Sequence, residues 1–136
     1  MDPKTPPPTL ATCTTCTFSD DFSNYWTATL FFRARNGSYM RVPQKPNVGF
    51  EQANGGITIY YSATVNSNTK STVTAFQPGF RMLIGQQNSR TKAEADKYRQ
   101  LTYTCLKEPM TRTGETKDMP AQPCKAGIMS NVRFPT

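Results

Sequence analysis

The stretch Ser23–Val42, SNYWTATLFFRARNGSYMRV, constrains the fold more than any other part of the chain. From Trp26 onward, Trp26, Ala28, Leu30, Phe32 and Ala34 fall on one side, and Thr27, Thr29, Phe31, Arg33 and Arg35 on the other. A period of two is that of a strand with one buried face. Asn36-Gly37 ends the run and Ser38–Val42 supplies a second strand, so the pair reads as a hairpin. The faces decide the turn. A two-residue turn would set Phe32 against Arg41 and Phe31 against Val42, mixing apolar and charged residues on both faces. A three-residue loop, Arg35-Asn36-Gly37, sets Phe32 against Met40 and Leu30 against Val42, and leaves Arg33 opposite Tyr39 and Phe31 opposite Arg41. Register follows the face that must be buried. The longer loop is therefore expected, with Gly37 at positive φ, where it has no Cβ to clash.

The remaining chain reads as strands and loops around this hairpin. Residues 1–11 carry Pro6-Pro7-Pro8 and read as a disordered, extended lead-in. Residues 12–136 read as a single β-rich domain. Pro43 to Pro46 break the second strand. Gly55-Gly56 marks a turn before a strand at Ile57–Tyr61, and Thr72–Phe76 is a further strand closed by Pro78-Gly79. Between them, Asn66 to Lys70 is a polar loop. Phe80–Ile84 is an apolar run expected to be buried. Thr91-Lys-Ala-Glu94 fits a capping box, which predicts a short helix to about Gln100. Leu101–Leu106 predicts a strand, Lys107–Cys124 a long loop holding Pro109, Pro120 and Pro123, and Gly127–Phe134 a last strand. The fold class is mainly β, with antiparallel, sandwich-like sheets and one short helix.

Sixteen Lys and Arg against nine Asp and Glu give a net charge of +7. That balance favours anionic partners. The charges are spread along the chain, the pattern of a solvated basic surface. No segment is apolar over the roughly 18 residues that a membrane span needs. Residues 1–13, MDPKTPPPTLATC, have no apolar core, so no secretory signal is read in the chain as it stands.

The sequence has no histidine. Ser-His-Asp and Cys-His catalysis and His-ligated metal sites therefore have no basis here, and no catalytic, cofactor or metal residue is assigned. Cys13, Cys16, Cys105 and Cys124 are read as structural disulfide partners. Cys13-x-x-Cys16 has no second such pair to complete a zinc site, and it does not sit between a parallel strand and a helix as a redox motif does. Three pairings are open. One that joins the Cys13/Cys16 stretch to Cys105 would clamp the first element to the strand after the helix. Asp20, Asp21 and Glu51 are the carboxylates near strong elements, and a glycosidase needs two of them held close together. Phe31, Arg33, Arg35, Tyr39 and Arg41 share the outer face of the hairpin and are the candidate binding residues, suited to sugars or to an anionic polymer. Asn36-Gly37-Ser38 is an N-glycosylation sequon at the hairpin tip.

The segments CTTCTFSDDFSNYWTATLFFRARNGSYMRVPQ, NGGITIYY, TAFQPGFRMLIG, YRQLTYTCL and PCKAGIMSNVRFP resemble, in collinear order over 12–136, a fungal secreted family, the domain-of-unknown-function family nineteen ninety-six. The resemblance implies an extracellular protein. It also implies a larger domain flanked by histidine-containing segments, a His-x-His before the CTTC motif and an Asp-His-x-x-His after the Phe-Pro-Thr end. Neither segment occurs in these residues, so no role is carried over from them, and the chain reads as the central part of an incomplete domain. The family's Cys-Trp-Asp cysteine is also missing, which implies that one of the four cysteines, Cys124 foremost, lacks its mate. The resulting expectation is a non-catalytic domain associated with the cell surface or with cell-wall polysaccharide. A carbohydrate-active hydrolase or lyase using carboxylates, and a basic nucleic-acid-binding module, stand as alternatives.

Overall fold

The computed structural model describes residues 11–47, 49–62 and 72–134. The Pro-rich lead-in, apart from Ala11, and the polar loop at Asn66 to Lys70 lie outside them. The chain divides into two compact units, one drawn from Met1–Ala28 and Ala75–Phe80, the other from Thr29–Thr74 and Arg81–Thr136.

Among the described residues, all of the regular structure lies in the second unit. Strands β1 (Leu30–Arg33) and β2 (Tyr39–Val42) form a two-stranded antiparallel sheet. Strands β3 (Leu101–Glu108), β4 (Thr111–Thr116) and β5 (Gly127–Val132) form a three-stranded antiparallel sheet in the order β4-β3-β5. One short helix, α1 (Lys92–Ala95), precedes β3. The fold is mainly β, as the composition and turn signals predict.

The core is small and sits on β3 and β5. Thr104, Cys105 and Leu106 are buried on the first, Ile128 and Met129 on the second. Leu106 is fully enclosed, at 0% exposure. Burial of one leucine side chain contributes about 2 kcal/mol from apolar area alone. The segment after β2 closes the free edge of β5. Gln44 bridges Ile128 in parallel, the Lys45 N–H donates to the Ile128 carbonyl at 2.8 Å, and Gln44 Nε2 donates to Ser130 Oγ at 2.9 Å. This approach requires glycine at 127. Its φ is +119°, and a Cβ there would stand 2.7 Å from Lys45 Cγ.

Five sequence expectations need correction. The first strand is shorter than its alternation predicts, beginning at Leu30, and Trp26 is 68% exposed. Ile57–Tyr61 and Thr72–Phe76 are not strands. Their β-branched and aromatic residues suit a sheet, but propensity without a paired neighbour does not make a strand. Instead, Thr58 Oγ1 holds the first segment locally, accepting from the Asn47 N–H at 3.0 Å and donating to the Asn47 carbonyl at 3.2 Å. Phe80–Ile84 is not buried, and Leu83 is 69% exposed. Finally, Lys107–Cys124 is not one long loop, since it contains β4, which covers the second edge of β3.

The helix has the predicted start but an early end. The Glu94 N–H donates to Thr91 Oγ1 and the Thr91 N–H donates to Glu94 Oε2 at 3.0 Å, completing the capping box. No helix residue is buried. A helix with no apolar stripe has nothing to extend it beyond its cap, and the chain passes into turns before Gln100.

Candidate functional site

The hairpin adopts the three-residue loop. Leu30 pairs with Val42, Phe31 with Arg41, Phe32 with Met40 and Arg33 with Tyr39. The Ala34 N–H donates to the Ser38 carbonyl at 2.9 Å, and the Gly37 N–H returns to the Ala34 carbonyl at 3.0 Å, with Gly37 at φ +86°. Ladder bonds alternate along an antiparallel pair. With Ala34 and Ser38 bonded, Arg33–Tyr39 and Phe31–Arg41 fall at the non-bonded positions, where side chains stand closest.

These four side chains therefore make a two-by-two array on one face, aromatic groups on one diagonal and guanidiniums on the other. All four are exposed, Phe31 at 58% and Tyr39 at 66%. Arg35, at the start of the loop, is exposed as well. Among the described residues none of Arg33, Arg35 and Arg41 enters an ion pair; the acidic partners there are engaged by Lys92, Arg112 and Arg133. Among the described residues the array therefore sets two guanidiniums outside any ion pair beside two flat rings.

The opposite face departs from expectation. Phe32 and Met40 are 56% and 54% exposed, so the alternation marks two faces of a hairpin and not one covered face. Leu30 and Val42, at the far end from the turn, and Ala34, beside it, are half-buried.

Two of the three candidate carboxylates, Glu51 and Asp21, are held by neighbouring donors. Glu51 is 3% exposed and pairs with the Arg112 guanidinium on β4. The hydrogen bond from Arg112, followed by one from its own backbone N–H, holds the Glu51 carboxyl below its ordinary range. Asp21 Oδ1 accepts from the Ser23 N–H at 2.9 Å in a local turn, and that bond likewise lowers its pKa. A general acid at neutral pH needs the opposite shift. Among the described residues no three His, Cys, Asp or Glu side chains lie together as a metal site.

Cys105 and Cys124 form a disulfide that ties β3 to the turn before β5. This corrects both the link from the Cys13/Cys16 stretch to Cys105 and the reading of Cys124 as a cysteine without its mate. Cys13 and Cys16 are free thiols. Sequence reasoning also missed the Glu51–Arg112 pair. Its partners are 61 residues apart, and no local pattern announces it.

A family model described as a domain of unknown function, DUF1996, matches residues 2–136. The chain belongs to that family. No curated protein and no solved structure matches it. In this DUF1996 domain, no helix among the described residues is long and apolar enough to cross a membrane.

Proposed function

We propose that this DUF1996 domain is a binding module, without chemistry of its own, that holds an acidic polysaccharide on the outer face of the β1–β2 hairpin. One observation carries the reading: the exposed array of Phe31, Arg33, Tyr39 and Arg41, with neither arginine in an ion pair among the described residues. A guanidinium donates a planar fork to a carboxylate or sulfate group. The aromatic rings offer flat apolar surface to the C–H face of a sugar. Arg35 extends the cationic edge toward the turn.

The Cys105–Cys124 bond supports an oxidising compartment, where extracellular and cell-wall polysaccharides are encountered. Association with the cell wall, and the fungal, secreted origin that the sequence resemblance implies, belong to the same proposal. A carboxylate hydrolase is less well supported, because Glu51 is engaged by Arg112 and Asp21 by Ser23.

The test is retention on polygalacturonate, chitin and β-glucan matrices. Wild type is expected to be held by the acidic matrix. Arg33→Ala and Arg41→Ala each remove a charge-assisted contact, expected to weaken retention about tenfold. Equal retention of wild type and both variants would remove this surface from consideration. Release of reducing ends from the matrix would favour the hydrolase.

A further inference from the structure

We propose that Asn36 is an N-glycosylation acceptor, so that the hairpin tip carries a glycan. Asn36-Gly37-Ser38 is the one Asn-x-Ser/Thr triplet in the 136 residues. Three structural observations turn that pattern into a site. The triplet forms the exposed tip of the hairpin, and a side chain added at Gly37 would meet nothing within 4 Å. Ser38 donates both its backbone N–H, at 3.0 Å, and its hydroxyl, at 2.7 Å, to Asn36 Oδ1. The two side chains that the sequon requires are thus already held together, and both hydrogen bonds use the amide oxygen. Among the described residues Nδ2, the nitrogen that must react, engages nothing. The Cys105–Cys124 disulfide adds an independent indication of the oxidising pathway in which this modification occurs.

The chemistry is a substitution at an anomeric carbon. Asn36 Nδ2 attacks C1 of an oligosaccharide carried on a lipid pyrophosphate. The Nδ2–C1 bond forms, the C1–O bond to the pyrophosphate breaks, the lipid pyrophosphate leaves with the electron pair, and Nδ2 loses one proton. Nothing is oxidised or reduced. The product hangs from a turn whose neighbours, Arg35 and Ser38, both face solvent, so no folded element has to move to receive it. This inference does not depend on the polysaccharide reading.

The experiment directs the chain into the secretory pathway of a yeast and maps peptides from the secreted and cell-retained fractions, before and after peptide-N-glycosidase treatment in heavy-oxygen water. The expected result is a glycan released from wild type with heavy-oxygen label at position 36. It is lost in Asn36→Gln and Ser38→Ala and kept in Ser38→Thr. A wild-type peptide that is unmodified in both fractions would overturn the proposal, as would a glycan that survives in Ser38→Ala. If Asn36→Gln fails to leave the cell, the wild-type peptide map alone decides.

Discussion

The Glu51 carboxylate accepts a hydrogen bond from the Arg112 guanidinium, across 61 residues of sequence, at a position where only 3% of Glu51 reaches solvent. The pair fastens the turn at Glu51-Gln52, which follows the break at Pro43 to Pro46, to β4. Lys45 ties the same turn from the other side, Nζ donating to the Ala53 carbonyl at 2.6 Å. The folded sheet therefore holds a loop in place through charge where apolar contact is scarce.

Breaking a buried pair from one side is costlier than never having had it, because the remaining charge stays buried. Arg112→Ala is accordingly expected to destabilise more than Glu51→Gln at pH 7. Glu51 has a folded pKa below its ordinary 4.5, so its contribution is complete above that value and is lost as pH falls through the folded pKa. Denaturant titrations at pH 7 and in acid check both points. The gap between wild type and Arg112→Ala should shrink in acid, and a gap that stays constant would contradict the pairing.

Loss of the Cys105–Cys124 bond is expected to cost about 3 kcal/mol, the magnitude for a closed loop of similar length. Cys105→Ser, Cys124→Ser and the double substitution should behave alike in unfolding experiments. Alkylation of the unreduced protein should label Cys13 and Cys16 alone, which mass spectrometry reads directly. Label on Cys124 would contradict the assignment.

Leu106 is the one large side chain with no exposure among the described residues. Leu106→Ala is expected to destabilise by about 2–5 kcal/mol, enough to unfold much of the population of a domain with so small a core. Leu83→Ala, which removes a side chain of equal size from a solvent-facing site, should be close to neutral. Thermal unfolding of the two variants side by side separates these outcomes.

The hairpin register was legible in the sequence because a one-residue slip would have mixed every face, and Gly37 marked the position that needs positive φ. The juxtaposition of Phe31, Arg33, Tyr39 and Arg41 follows from that register. Burial was not legible. Alternation shows that Phe32 and Met40 share a side but not that anything covers it. The capping box set the start of α1, while its end depended on packing that Lys92–Ala95 does not have. Thr111–Thr116 hid among prolines with no apolar alternation, and became a strand because the edge of β3 needed a partner. Ile57–Tyr61 erred the other way, with strong propensity and no sheet to join.

The most direct measurement compares affinity for an acidic oligosaccharide, by calorimetry, among wild type, Arg33→Ala/Arg41→Ala and Phe32→Ser/Met40→Ser. The second pair of changes lies on the opposite face of the same two strands. A loss of roughly a hundredfold is expected for the arginine pair, with binding that weakens as salt is added and little change for the Phe32/Met40 pair. Equal affinity in all three proteins, or a loss confined to the Phe32/Met40 variant, would contradict the proposed site.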